Sequence, residues 1–150
     1  MHILIAPNSF KNSLDAARVA EAIHKGLQQS ALPCTTECFP IGDGGDGTAA
    51  LIVQHFNGKR LEATVHDPIG RRIMAPLGLI DQDQTAVIEL ADASGLRLLR
   101  PEEYDPLHAN TYGTGELIKQ ALDRAVKKII LCIGGSATVD AAIGMMQALG

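Results

Sequence analysis

The sequence predicts an α/β fold: parallel-sheet units of strand, turn and helix, with antiparallel hairpins set between them. Two observations carry this. A strand pattern, a polar or glycine-rich turn and a helical pattern follow one another three times along the chain, the signature of an α/β sheet whose ligands gather at the carboxyl ends of its strands. Between the second and third of these units, residues 61 to 90 hold strand runs and almost no helical period.

The elements follow in order. His2 to Ala6 is a short apolar run closed by Pro7, which suits a buried first strand. Ser13 is placed to cap a helix in which Ala16, Ala20, Ile23 and Leu27 form one stripe, with Pro33 just past its end. Thr36 to Ile41 reads as a second strand, and the glycine cluster from Gly42 to Gly47 separates it from a helix at Thr48 to Phe56 that Gly58 would end in a left-handed conformation. Strand runs follow at Leu61 to His66, Arg72 to Ile80 and Thr85 to Leu90, the last two joined by the polar turn Asp81-Gln82-Asp83-Gln84. After an irregular stretch from Arg100 to Asn110, Thr114 can cap a helix whose stripe is Leu117, Ile118, Ala121, Leu122 and Ala125, with Lys127 and Lys128 at its carboxyl end. Ile129 to Ile133 is an apolar strand, and Gly134 to Thr138 opens a last helix that runs to Gly150. The chain stops within or just after this apolar helix without a polar tail, so we read it as a fragment.

Composition bounds the function. The chain has 150 residues, 46% hydrophobic and 20% charged, enough for a globular core. A formal net charge of −4 gives no electrostatic reason to bind nucleic acid, and with no Trp, two Tyr and three Phe the stacking platforms of single-strand binders are missing. The apolar start is too short for a signal peptide and no run approaches the ~20 residues of a membrane helix, so we expect a cytoplasmic protein with no membrane partner. Cys34, Cys38 and Cys132 read as reduced thiols. Nothing in the sequence sets an oligomeric state.

Several segments can do chemistry. Gly42-Asp43-Gly44-Gly45-Asp46-Gly47-Thr48 allows close backbone approach to a ligand and matches GxGxxG in spacing. Asp43 and Asp46 would repel a dinucleotide pyrophosphate unless a metal intervened; they suit Mg²⁺ coordination or a general base for a substrate hydroxyl. The same aspartates could equally cap the next helix. Asn8-Ser9-Phe10-Lys11 lies between the first strand and helix, where Lys11 can neutralise phosphate or carboxylate or remain a solvated lysine. Gly134-Gly135-Ser136-Ala137-Thr138 offers backbone N–H groups and hydroxyls to an anion, and Asp140 behind it is either catalytic or a helix-dipole partner. Thr111-Tyr112-Gly113-Thr114-Gly115 again pairs hydroxyls with glycines at a helix start. Glu89, Asp92 and Ser94 end an apolar strand, where buried acids need a partner; they line a cleft or make structural hydrogen bonds. The histidines are scattered and make no metal pair. Neither a Walker A loop nor a protein-kinase signature is present.

Taken together, the motifs resemble the bacterial type I glycerate kinase family. The matches, in order, are Ala6 to Asp15 with APDSFKGSLS, Pro40 to Thr48 with PxADGGEGT, Asp67 to Arg71 with DPxGR, Ile88 to Leu96 with IExAxASGL, Thr111 to Ile118 with TyGtGELI, and Gly134 to Gly150 with GGSATxDxxxGMxxALG. Asn8, Asn12, Gly42, Asp46, Val139, Ala141 and Ala142 depart from the usual residues, while Lys11, Asp43 and Asp140 match. The resemblance implies a Rossmann-like or flavodoxin-like parallel-sheet domain, begun by residues 1–60, with an inserted second α/β domain at 61–150. It implies ATP-dependent phosphorylation of D-glycerate to 2-phosphoglycerate with Mg²⁺. Asp43, Asp140 and Lys11 would be catalytic; Ser9, Gly44, Gly45, Gly47, Thr48, Thr111, Gly113, Thr114, Gly115, Gly134, Gly135, Ser136 and Thr138 would bind substrate or phosphate; Asp43 and Asp46 would hold the metal. The alternatives are a dinucleotide-dependent oxidoreductase, resting on the GxGxxG spacing, and a non-catalytic fragment of the kinase.

Overall fold

A computed structural model describes residues 1–10 and 13–150. They form two compact units, Met1–Asp43 and Gly44–Gly150.

In the first unit, strand β1 (His2–Ile5) pairs in parallel with β2 (Thr35–Cys38), His2 opposite Thr35 and Ile5 opposite Cys38. Helix α1 (Ala16–Gln29) makes the crossover between them and buries Ala16, Val19 and Ala20. Beyond β2 the ladder continues, Phe39 N–H donating to Ile5 O at 2.8 Å and Ile41 N–H to Pro7 O at 3.0 Å. Two expectations are corrected here. Ser13 does not cap α1: its N–H closes a turn onto Phe10 O, and the Asp15 carboxylate accepts from Arg18 N–H at 2.8 Å, a charged acceptor directly before the first helical residue. Nor is β1 buried along its length. Ile5 is, but Leu4 is 57% exposed, because alternate residues of a strand face opposite sides and α1 covers one.

The second unit is a four-stranded sheet in the order β3 (Lys59–His66), β4 (Arg72–Ile80), β5 (Thr85–Glu89), β6 (Lys128–Cys132). The first three strands are antiparallel and β5–β6 is parallel, so hairpin and crossover structure share one sheet. Ala63, Val65, Leu77 and Ile88 on one face pack with Leu117 and Ala121 of helix α4 (Tyr112–Asp123). Ile80, Val87 and Cys132 on the other pack with Ala49 of helix α2 (Thr48–His55). Covered on both faces, all five residues of β5 are buried, apolar Ala86, Val87 and Ile88 between Thr85 and Glu89. The expected polar turn is present, with Asp81, Gln82 and Asp83 all at positive φ.

Helix α2 packs on this sheet and belongs to the second compact unit. Between β5 and α4 lie a short helix α3 (Ala91–Ser94) and 3₁₀ turns at Leu96–Leu98 and Pro101–Glu103. The DPxGR segment is a tight turn: buried Asp67 accepts from the N–H groups of Ile69 at 3.0 Å and Arg71 at 2.8 Å, and the Arg71 guanidinium folds back on the same carboxylate.

Three boundaries differ from the sequence reading. Asn57, not Gly58, takes the left-handed conformation after α2. Gly58 is needed for another reason, since a Cβ there would strike the Leu79 carbonyl and lie 2.6 Å from Ile80 Cγ2. Helix α4 starts after Thr111 and ends before Ala125, which sits at φ 58. Helix α5 (Ile143–Leu149) begins nine residues after Gly134, because Ala141 and Ala142 adopt positive φ and hold residues 134–142 as a loop.

Candidate active site

The second unit brings the two glycine-rich segments into direct contact at the carboxyl ends of β5 and β6. Gly134 N–H donates to Gly44 O at 2.7 Å, and a Cβ on Gly134 would collide with the Gly45 backbone, so only glycine permits this crossing. Gly135 follows at φ 71, its carbonyl accepting from Leu96 N–H, while Ala137 N–H donates to Ser94 O. Ser136 Oγ accepts from Thr138 N–H at 3.0 Å and lies 2.9 Å from Thr138 Oγ1, closing a local turn. The N–H groups of Gly135 and Ser136 have no partner among the described residues. Two successive donors in a glycine turn are suited to an anion.

The loop leading into α2 is built differently. Gly44 N–H donates to Thr48 Oγ1 at 3.1 Å and Thr48 N–H to Gly45 O at 3.1 Å. Gly47, at φ 86, precedes the helix and has no side chain with which to cap it. Glu89, the last residue of β5 and only 2% exposed, does so from across the fold. Its two oxygens lie 2.9 and 3.0 Å from Gly47 N, and Oε2 accepts from Ala49 N–H at 3.1 Å. A carboxylate therefore already occupies the helix end where a dinucleotide reading would put a pyrophosphate, and the GxGxxG spacing loses its support.

Arg97, which sequence reasoning did not single out, ties the cluster together. Its guanidinium contacts Asp92 directly, lies 3.5 Å from Glu89 and reaches Asp46 at 3.4 Å. Burial, and then the neighbouring Glu89 charge, push the Asp92 carboxyl up to about 6 against the pull of Arg97. A cavity of about 350 Å³ opens beside these groups, lined by Gly47, Ala49, Val87, Glu89, Asp92 and Arg97. Nothing in the spacing of Arg97 marks it; its role arises from the turn after α3, a helix the strand pattern does not reveal.

A second cluster forms at the start of α4. Asp140 Oδ2 accepts from Thr111 N–H at 2.9 Å, Thr111 Oγ1–H at 2.8 Å and Gly144 N–H at 3.0 Å, and Thr111 Oγ1 in turn accepts from Met145 N–H. Burial works to raise this carboxyl, but the hydrogen bonds from Thr111 and Gly144 outweigh it and hold it below the usual aspartate value. A carboxylate so held is a weak base and a firm anchor. Asp140 lies ahead of α5 and not in its first turn. Thr114 does not cap α4 either: it is fully buried inside the helix, its hydroxyl 2.7 Å from Ser94 Oγ. Gly113 and Gly115 permit close packing, a Cβ on the first striking the His66 carbonyl and one on the second lying 2.5 Å from Met145 O.

Ser9 and Asp43 belong to the first unit, where Ser9 N–H donates to Asn8 Oδ1 at 2.7 Å; Lys11 and Asn12 lie outside the described residues. Among the described residues no three His, Cys, Asp or Glu side chains form a metal cage, and no helix is long and apolar enough to cross a membrane.

Two glycine turns cross beside an arginine and buried acids at the carboxyl ends of parallel strands, the edge where α/β folds gather their ligands. Residues 3–150 match the model of the glycerate kinase family, and the chain belongs to that family. It is 47% identical over its full length to the glycerate kinase of Haemophilus influenzae, covering 40% of that protein, and 45% identical to the glycerate 2-kinase of Escherichia coli K12, covering 39%. A crystal structure of a protein assigned as glycerate kinase 2 from Salmonella typhimurium LT2 superposes with a TM-score of 0.80 at 45% identity, over all of this chain and 40% of that one. The chain thus spans about two fifths of the length of the curated relatives it matches.

Proposed function

We propose that this chain is the amino-terminal part of a cytoplasmic enzyme that transfers the γ-phosphoryl group of ATP to D-glycerate, forming 2-phosphoglycerate and ADP. The family match over residues 3–150 carries the reading. The crossing of Gly44–Thr48 with Gly134–Thr138 supports it, since phosphoryl transfer depends chiefly on positioning and on stabilising charge. In this reading the N–H groups of Gly135 and Ser136 hold a phosphate or the glycerate carboxylate. Lys11 neutralises the glycerate carboxylate or the transferred phosphoryl group, and Ser9 is a substrate-binding residue. Asp43 or Asp140 orients the attacking hydroxyl, Asp140 through a carboxylate whose Oδ2 is held by three donors.

Mg²⁺ commonly binds through one or two carboxylates together with substrate phosphates, and Asp46, whose side chain is 55% exposed, fits that pattern with Asp43 three residues before it. Bound there, the ion would neutralise charge on the nucleotide phosphates. The domain organisation we propose is a parallel-sheet domain begun by residues 1–60 and an inserted domain at 61–150.

Incubating the whole protein with ATP, Mg²⁺ and D-glycerate and following phosphorus NMR tests the reading. A new phosphomonoester coupled to the C2 proton supports it. A C3 ester would overturn the regiochemistry, and no new ester would overturn the activity.

A further inference from the structure

We propose that Glu89 is a positioning residue for this phosphoryl transfer: from the end of β5 its buried carboxylate sets the Gly44–Thr48 loop, and Arg97 couples that anchor to Asp46 on the loop. The inference rests on the kinase reading above.

Helix α2 begins with backbone N–H groups that need acceptors, and Gly47 has no side chain to offer. In most helices a neighbouring Ser, Thr or Asp meets this need locally. Here the acceptor comes from position 89, so the conformation of the loop is tied to the sheet and not to the loop's own sequence. Glu89 is also not isolated. Arg97 lies 3.5 Å from it and 3.4 Å from Asp46, so one guanidinium links the anchor with a carboxylate on the loop that the anchor holds. Gly134 is seated on that same loop through Gly44 O, which extends the dependence to the second glycine turn and its Gly135 and Ser136 N–H groups. Glutamine at position 89 keeps the shape but cannot reproduce this pattern: one of its two terminal atoms becomes a donor, facing backbone donors.

The test compares Glu89→Gln with Val65→Ala, a core truncation at a residue 1% exposed and on the α4 side of the sheet, both in the whole enzyme. Tm and the glycerate and ATP kinetics are measured for each. The expected result is a kcat for Glu89→Gln lower by about tenfold to a hundredfold, the range a misplaced reactant produces, with KM nearly unchanged. Val65→Ala should lose Tm yet keep a kcat close to wild type. A kcat for Glu89→Gln within twofold of wild type, or a loss confined to KM, would show a carboxylate that only supports the fold and would overturn the proposal. Should Glu89→Gln not fold, Arg97→Gln gives the same reading through the half-exposed partner: a kcat fall supports the coupling and an unchanged kcat overturns it. Absence of glycerate-dependent turnover in the wild type would overturn the kinase reading itself, and this inference with it.

Discussion

Asp140 gathers three donors onto one oxygen, and two of them come from Thr111 on the far side of the α4–α5 contact. Removing that acceptor leaves buried donors unpaired, so Asp140→Ala is expected to cost about 2–3 kcal/mol in urea unfolding, the size of a lost charge-assisted bond plus stranded partners. Asp92 is the opposite case. Its carboxyl rises from the ordinary 3.8 to about 6, so between those values the folded state holds more protons than the unfolded one. Stability of the wild type therefore falls as pH rises through that window, by on the order of 2 kcal/mol in all. Asp92→Asn escapes this loss. Its Tm relative to wild type should climb between pH 4 and pH 7, and a difference flat with pH would refute the assignment. Under the proposed mechanism, Asp43→Asn is expected to lower kcat/KM of the whole enzyme more than tenfold; losses under tenfold for both Asp43→Asn and Asp140→Asn would remove the two carboxylates from the mechanism. The sequence exposes Asp43, Asp46 and Asp140 because glycine and hydroxyl residues surround them. It hides the tasks of Glu89 and Arg97, whose partners lie far away along the chain and meet them only through the sheet.

Elements whose pattern is set by local burial are legible, and those set by a distant contact are not. Strand β4 coincides with its predicted span because its turns are written in the flanking residues, Gly70 at φ 87 and the Asp81 turn. Helix α5 starts later than its glycine-rich approach suggests, since Gly134 and Gly135 serve a crossing with another loop and not a helix start. Glycine substitutions separate the two kinds of demand. In α1, a Cβ at Gly26 meets nothing within 4 Å, so Gly26→Ala should stabilise the chain by about 0.5–1 kcal/mol through backbone entropy. In α4, a Cβ at Gly115 would lie 2.7 Å from Ala148 Cβ and closer still to Met145 O. Gly115→Ala should force α5 off α4, costing about 1–3 kcal/mol and exposing the α5 amides to faster hydrogen exchange.

At the scale of the molecule, the recurrence of strand, turn and helix foretold an α/β fold, and the strand runs of residues 61–90 foretold hairpins. Neither reveals that the hairpins share a sheet with the parallel pair β5–β6, because pairing of distant strands leaves no local trace. Family membership joins these parts to the proposed reaction. Glycerate-dependent ADP release by the whole protein, with ATP and Mg²⁺ and against a control lacking glycerate, tests that join most directly. The account predicts saturable turnover that requires D-glycerate and collapses in Asp43→Asn; ADP release at the same rate without glycerate, or none at all, would contradict it.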